Sequence, residues 1–150
     1  MSATLRLLPL LLLVATAASA QPRPGGTPVA GALASGDTPA AMAIQAGGAD
    51  RNPIPGSGCS GFIRSGAPLA TVEHGGGPLS IYVTSGTDTT LLVADPSGRW
   101  QCSDDADDIN PAVTFANAPA GTYAVWVGTF SAEAAGASAQ LHAVRGQPRW

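Results

Sequence analysis

The sequence predicts an all-β fold: an antiparallel β-sandwich or jelly roll of seven or eight strands, preceded by a disordered N-terminal segment. Three observations predict it. Short runs rich in β-branched and aromatic residues recur roughly every ten residues from residue 59 onward, turn sequences separate them, and no segment of helical period lies between them. This spacing is typical of sandwiches, whereas a parallel sheet would need crossover connections of a dozen or more residues, usually helices.

Residues 1–20 have the features of a secretory signal peptide. One positive charge, Arg6, precedes an apolar run from residue 7 to about residue 18, and the stretch ends in the small-x-small pattern ASA. The run is short for a transmembrane helix, which needs roughly 20 apolar residues. We therefore expect cleavage after Ala20, a secreted or periplasmic location and no stable membrane insertion.

Residues 21–58 are rich in proline, glycine and alanine and contain few large apolar residues. No period of 2 or 3.6 is sustained, so the segment is predicted to be a disordered linker that buries too little surface to offset its chain entropy. Within it, residues 39–46, PAAMAIQA, are the exception and could form a short helix or a docking strand. The folded domain is accordingly predicted to span residues 59–150.

The candidate strands differ in how their apolar residues are spaced. Residues 79–84 alternate, with Leu79, Ile81 and Val83 on one face, whereas residues 89–94 are apolar on both faces, as expected of a central strand. In chain order, the predicted strands are residues 61–65, 69–73, 79–84, 89–94, 99–102, 112–116, 122–129 and 139–145.

The turn after the central strand and the longest alternating run support the same fold. Residues 95–98, DPSG, have proline at the second and glycine at the fourth position of a turn. Residues 122–129 alternate, with Tyr123, Val125 and Val127 on one face. The predicted core is Ile81, Val83, Leu91, Val93, Trp100, Val113, Phe115, Tyr123, Val125, Val127 and Leu141.

Trp126 falls on the opposite face of its strand from Val125. It either packs in a second apolar layer or lies exposed as a contact residue. The second interpretation makes Trp126 a candidate binding residue.

Charge and cysteine content narrow the functional classes. After the predicted cleavage, ten acidic residues outnumber six arginines, and there is no lysine. A nucleic-acid partner, which requires a basic face, is therefore not expected. Cys59 and Cys102 do not have the C-x-x-C spacing of a redox or metal motif. Because an exported chain enters an oxidising compartment, a disulfide between them is predicted, and two buried free thiols are the alternative. The bridge would close a loop of about 44 residues and contribute roughly 4 kcal/mol in the chain-entropy model.

Neither histidine has the sequence context of a hydrolase. Residues 73–77, EHGGG, look like the oxyanion-hole motif of lipases, but that motif functions beside a G-x-S-x-G elbow, which the sequence lacks. A glycine turn beside His74 is the simpler interpretation. His142 lies in an alternating strand and is predicted to be at the surface. No catalytic residue is predicted, and a peptidase built on His74 or His142 is kept as an alternative.

The stretch WQCSDDADDIN, residues 100–110, places four carboxylates within five residues. Carboxylate and amide oxygens are the ligands that Ca²⁺ prefers, but the spacing is not that of an EF-hand. A calcium site would therefore be a loop site, completed by acids from neighbouring turns. The candidate metal ligands are Asp104, Asp105, Asp107, Asp108, Asn110, Asp88 and Asp95.

The same stretch has two structural interpretations. Asp and Asn commonly hydrogen-bond their own backbone, so the segment could be a solvated acidic turn without a metal. Alternatively, Asp104 and Asp105 could accept backbone hydrogen bonds that hold the loop beside Cys102.

Residues 88–128 contain a series of short motifs: Asp-Thr-x-Leu (Asp88, Thr89, Leu91), D-x-x-G (Asp95, Gly98), the pair Asp104-Asp105, Asn110-Pro111, and P-x-G-x-Y (Pro119, Gly121, Tyr123). Taken together, these motifs resemble the pre-peptidase C-terminal domain, a small β-sandwich module of secreted bacterial proteins. The resemblance implies a non-catalytic accessory role, and calcium binding in some related domains.

The expected function is that of a secreted non-catalytic accessory or binding module, stabilised by calcium. Its partner is expected to be a protein or a glycan at the cell surface, and the chain is expected to be a monomer. Besides the peptidase-related hydrolase, the second alternative is a carbohydrate-binding module that uses Trp100, Trp126 or Trp150 as a stacking platform.

Overall fold

The computed structural model describes residues 21–54 and 59–150. The predicted signal peptide, residues 1–20, lies outside the described residues, as do residues 55–58 at the end of the predicted linker. The described residues form eleven strands and one short 3-10 helix, Ala132–Ala134. The strands are β1 (Gly31–Ala34), β2 (Ala40–Ala46), β3 (Asp50–Arg51), β4 (Phe62–Ile63), β5 (Ala70–His74), β6 (Gly77–Ser85), β7 (Thr89–Ala94), β8 (Trp100–Ser103), β9 (Ala112–Ala118), β10 (Gly121–Thr129) and β11 (Ala137–Val144).

The strands form two sheets, which confirms the predicted all-β sandwich. The four-stranded sheet has the order β2-β11-β6-β9, and all its pairs are antiparallel. The seven-stranded sheet has the order β1-β5-β10-β4-β3, and β10 also pairs with β7, which pairs with β8. Within the described ranges, no helix is long and apolar enough to cross a membrane.

One pair departs from the predicted antiparallel arrangement, because β1 and β5 run parallel, with Gly31 opposite Ala70. A parallel pair needs a long connection between its strands. Here the chain between β1 and β5 passes through β2 in the other sheet and through β3 and β4, so strands supply the crossover that helices usually supply.

The predicted linker is wrong where it covers β1, β2 and β3. Every residue of β2 from Ala40 to Ala46 is in register with β11, and Leu33, Ile44 and Ala46 are buried in the core. Alanine side chains suffice here because the strands are held by backbone pairing at the sheet edges. The domain therefore begins well before residue 59, and the docking strand considered for residues 39–46 is β2.

The eight predicted strands all form, with ends that differ by up to two residues. Ten of the eleven predicted core residues lie in the apolar cluster between the sheets, and Trp100 is the exception. In the β7–β8 pair, Trp100 is opposite Ala94 and Cys102 is opposite Leu92. That parity turns Trp100 to the other face of the seven-stranded sheet.

A second apolar cluster covers that other face. It contains Ile63, Leu92, Ala94, Ala124 and Trp126, and it is flanked by Ile54, Cys59, Trp100 and Cys102. The disulfide therefore closes over a small core of its own, and it fixes the strand that leads into the acidic stretch.

Candidate functional site

The acidic loop connects β8 in one sheet to β9 in the other. Asp107 and Asn110 exchange two backbone hydrogen bonds of 3.0 Å, which close a tight turn. Asp108 lies inside it with a φ of 54°, a left-handed conformation that Asp tolerates better than most residues. The Asn110 Oδ1 accepts a 2.9 Å hydrogen bond from the Ser85 N–H. The loop is thus folded against the end of β6.

A disulfide between Cys59 and Cys102 holds the other end of the loop, as predicted, with the Cα atoms 5.9 Å apart. The Asn52 Nδ2 donates to the Cys59 carbonyl at 3.1 Å and lies 3.4 Å from each Sγ. Sequence reasoning missed Asn52 because it lies in the segment predicted to be disordered. Its only signal was the Asn-Pro dipeptide, a turn former.

Asp104 supports the structural interpretation of the acidic stretch. Its Oδ2 accepts a 3.2 Å hydrogen bond from the Ser60 N–H, next to the disulfide. This carboxylate therefore holds the loop beside Cys102. No comparable hydrogen bond is made by the Asp105 side chain within the described residues.

Asp88 is the acid that the fold brings toward this loop. Its Oδ1 atom is buried and has no hydrogen-bond partner among the described residues. Burial raises the pKa of the Asp88 carboxyl, and the negative charges of Asp105, Asp104 and Asp108 raise that pKa further. Asp88 thus lies in a site whose electrostatic potential favours a cation or a proton.

The structure does not bring Asp95, another of the predicted calcium ligands, to this loop. Asp88 precedes β7 and Asp95 follows it, which separates them by roughly 20 Å at about 3.3 Å per residue. The Asp95 Oδ1 accepts hydrogen bonds from the backbone and hydroxyl of Ser97 and from the Arg99 N–H. Its Oδ2 accepts from the Arg99 guanidinium at 2.8 Å.

The predicted ligands do not converge into a preformed metal centre. No group of three or more His, Cys, Asp or Glu side chains in residues 21–54 and 59–150 is arranged to hold a metal ion. The Asn110 amide oxygen is engaged by Ser85, and Asp107 is not among the charges that act on Asp88. The set with a shared electrostatic environment is therefore Asp88 with Asp104, Asp105 and Asp108.

His74 is buried, with an exposed fraction of 6%, at the end of β5. Its Nε2 lies 3.2 Å from the Gly77 carbonyl, which can only accept, so this nitrogen carries the proton. Its Nδ1 lies 2.7 Å from the Ser35 Oγ and accepts from that hydroxyl. Ser35, another residue of the predicted linker, continues the β1–β5 pair through a backbone hydrogen bond to Glu73.

His142 is half-buried on the outer face of the four-stranded sheet, not fully at the surface as predicted. Its ring stacks on Tyr82 at 4.6 Å, and its Nε2 lies 3.0 Å from the Thr84 Oγ1. Burial lowers the pKa of His142. Trp150 contacts Tyr82 edge-on at 5.1 Å and is half exposed.

Trp126 is only 1% exposed, so its predicted role as an open binding residue is wrong in this structure. It packs in the second cluster against Trp100, with the ring centroids 5.1 Å apart. The expected second layer is therefore the correct interpretation. Its Nε1 is buried and has no hydrogen-bond partner among the described residues.

No family model matches the chain, and no curated protein matches it in sequence. Among solved structures, the chain is similar to the pre-peptidase C-terminal domain of a collagenase from Bacillus anthracis, at 15% identity and a TM-score of 0.43. The similarity covers 75% of this chain and 93% of that chain. This domain type is the one that the motifs of residues 88–128 resemble.

Proposed function

We propose that the chain is an exported, non-catalytic accessory module of the pre-peptidase C-terminal type, which acts by binding a partner outside the inner membrane. Export is supported by the leader-like residues 1–20 and by the Cys59–Cys102 disulfide, which an oxidising compartment maintains. The observation that carries the non-catalytic role is that the His74 ring is buried, with an exposed fraction of 6%, and the His142 ring is stacked on Tyr82.

Expression of the full chain in a bacterial host, followed by N-terminal sequencing of the exported protein, tests the export part. We expect Gln21 as the first residue and no free thiol under denaturing conditions. Retention of residues 1–20 with the protein in the membrane fraction would contradict export.

The finer part of the proposal is that calcium stabilises the acidic loop. The buried Asp88 Oδ1, which has no hydrogen-bond partner in residues 21–54 and 59–150, supports it, because a divalent cation would compensate both this atom and the three nearby carboxylates. Asp88, Asp104, Asp105 and Asp108 would hold the ion. Since these side chains do not already converge, we propose weak binding, in the range of about 0.1–1 mM known for extracellular modules.

A hydrolase is the second candidate, favoured by the Ser35–His74 pair. The 2.7 Å contact and the fixed tautomer give His74 the orientation of a general base toward a serine hydroxyl. Hydrolysis of casein and of p-nitrophenyl acetate by the exported protein, with Ser35→Ala and His74→Ala as variants, separates the candidates. We expect no turnover above that of the Ser35→Ala variant. Turnover that both substitutions abolish would overturn the non-catalytic role.

A further inference from the structure

Among the described strands, each sheet ends in an edge strand on the same side of the sandwich. β1 ends the seven-stranded sheet, β2 ends the four-stranded sheet, and the two strands contact each other. In an edge strand, every second residue turns its N–H and C=O away from the sheet. β2 contains no proline and no charged residue, which are the usual devices that prevent another strand from pairing with such an edge.

A groove with a volume of about 360 Å³ lies between β2 and the residues that precede β1 and β5. Its apolar walls include Val29, Ala30, Ala43 and Leu69, and Gln45 and Arg64 are its polar residues. Val29 is 54% exposed there. The volume falls in the range of ligand sites, and the walls are of the apolar kind that such sites have.

Arg64 gives the groove its charge. Its side chain is exposed and makes no ion pair or hydrogen bond with the described part of the chain. None of the described residues that line the groove is acidic, so an entering anionic group would meet a guanidinium that they do not neutralise. Guanidinium binds carboxylate with two parallel hydrogen bonds, which makes a carboxylate the natural complement.

A smaller cavity of about 10 Å³ continues the groove inward. It shares Val29, Gln45, Arg64 and Leu69 with the groove, and Trp126 also lines it. The buried Trp126 Nε1–H is a donor without a partner among the described residues. An acceptor atom that reaches this cavity beside Arg64 would supply what the indole lacks.

We propose that this groove binds an extended peptide with a free C-terminal carboxylate, which pairs with the β2 edge and places its terminus at Arg64. A main-chain edge is complemented by another main chain, and the small side chains of Ala30 and Ala43 leave room for one. The inference rests on the proposed binding role and names its partner class. It involves neither the acidic loop nor the Ser35–His74 pair.

The test uses fluorescence polarisation with the exported protein and a labelled hexapeptide of alternating alanine and valine. We expect saturable binding that weakens roughly tenfold or more when the carboxylate is replaced by an amide, and equally in Arg64→Gln. The matched control is Arg149→Gln, another exposed arginine outside the groove, which should bind like the native chain. Peptide addition should also shift one indole N–H signal, assigned to Trp126 by its loss in Trp126→Phe.

Three kinds of result would overturn the proposal. If the peptide acid and its amide bind with equal affinity, or if the native chain and Arg64→Gln do, then Arg64 does not recognise the peptide carboxylate. If a peptide N-methylated at alternate residues binds as tightly as the unmodified peptide, or if hexanoate does, then the peptide does not pair with the β2 edge. Lack of binding by the folded protein at millimolar peptide would remove the site, while the hydrolysis assays would still decide separately whether the module is catalytic.

Discussion

Asp88 and Asp95 lie at opposite ends of β7, and the fold shifts their pKa values in opposite directions. Burial raises the pKa of both carboxyls. At Asp95, hydrogen bonds from Ser97 and Arg99 outweigh burial and lower the pKa below the ordinary value of 3.8. At Asp88, no described residue donates a hydrogen bond to the Oδ1, nearby carboxylates add to the effect of burial, and the pKa is raised. One carboxylate therefore stabilises the fold at neutral pH, and the other destabilises it.

Asp95→Asn should destabilise the chain by about 2 kcal/mol at pH 7, because it removes a charged acceptor that is 4% exposed. Since the pKa of Asp95 is lowered on folding, its contribution is present above the unfolded value and is lost as pH falls through the folded value. Urea unfolding at pH 7 and near pH 3 measures this. The Asp95→Asn effect should shrink at the lower pH, whereas Asp37→Asn, at a 93% exposed carboxylate, should have little effect at either. An equal loss in both variants would contradict the role of the Asp95 turn.

Asp88→Asn should stabilise the chain in EDTA, whereas Asp95→Asn destabilises it. The melting temperature of Asp88→Asn should be about 2–4 °C above that of the native chain at pH 7. Because the pKa of Asp88 is raised on folding, this group favours the folded state below the unfolded pKa, and that advantage is lost as pH rises through the folded pKa. The gain of Asp88→Asn should therefore disappear in acid.

The same variant tests the proposed calcium site. Calcium at tenfold excess over its dissociation constant should stabilise the native chain by about 1.4 kcal/mol, and Asp88→Asn should lose most of that gain. Asp107→Asn serves as the control, because Asp107 does not act on Asp88. If calcium leaves the melting temperature of the native chain unchanged and calorimetry detects no heat of binding, the site does not exist.

The sequence predicted the fold wherever period 2 was carried by large side chains. Leu79, Ile81 and Val83 in β6 and Tyr123 and Val125 in β10 are completely buried, as their alternation indicated. β1 was not predicted, and a strand at β2 was only one of two alternatives, because small residues dominate both segments and their stability comes from pairing with β5 and β11 rather than from their own side chains.

The candidate site was harder to predict, because the number of acidic residues in a segment does not tell where their side chains point. Four aspartates close in sequence suggested shared ligands, yet Asp104 faces Ser60 and Asp107 closes a turn with Asn110. The pairing of β7 with β8 and β10 decides that Asp88 approaches the loop and Asp95 does not. Such long-range pairing cannot be inferred from local spacing.

The disulfide should be a large single contribution to stability. Cys59 and Cys102 are 43 residues apart, and a loop of that size corresponds to roughly 4 kcal/mol in the chain-entropy model. The double variant Cys59→Ser, Cys102→Ser should therefore unfold at a much lower urea concentration than the native chain. The native chain in reducing agent should unfold at the same low concentration as the double variant. A loss below about 1 kcal/mol would show that the second cluster around Trp126 is stable without the bridge.

Thr90 packs against two glycines, Gly61 and Gly128, and leaves no room for a side chain at either position. A Cβ added to Gly128 would lie 2.5 Å from the Thr90 Oγ1 and 2.6 Å from the Phe62 carbonyl. These atoms belong to β7 and β4, which both pair with β10, so they cannot move away without disturbing the sheet. Gly128→Ala should therefore destabilise the fold by about 2–3 kcal/mol, measured by urea unfolding. The matched control is Gly86→Ala, where no atom lies within 4 Å of the added Cβ, and it should be neutral within about 0.5 kcal/mol. Equal stability of the two variants would mean that β4, β7 and β10 do not pack this closely in solution.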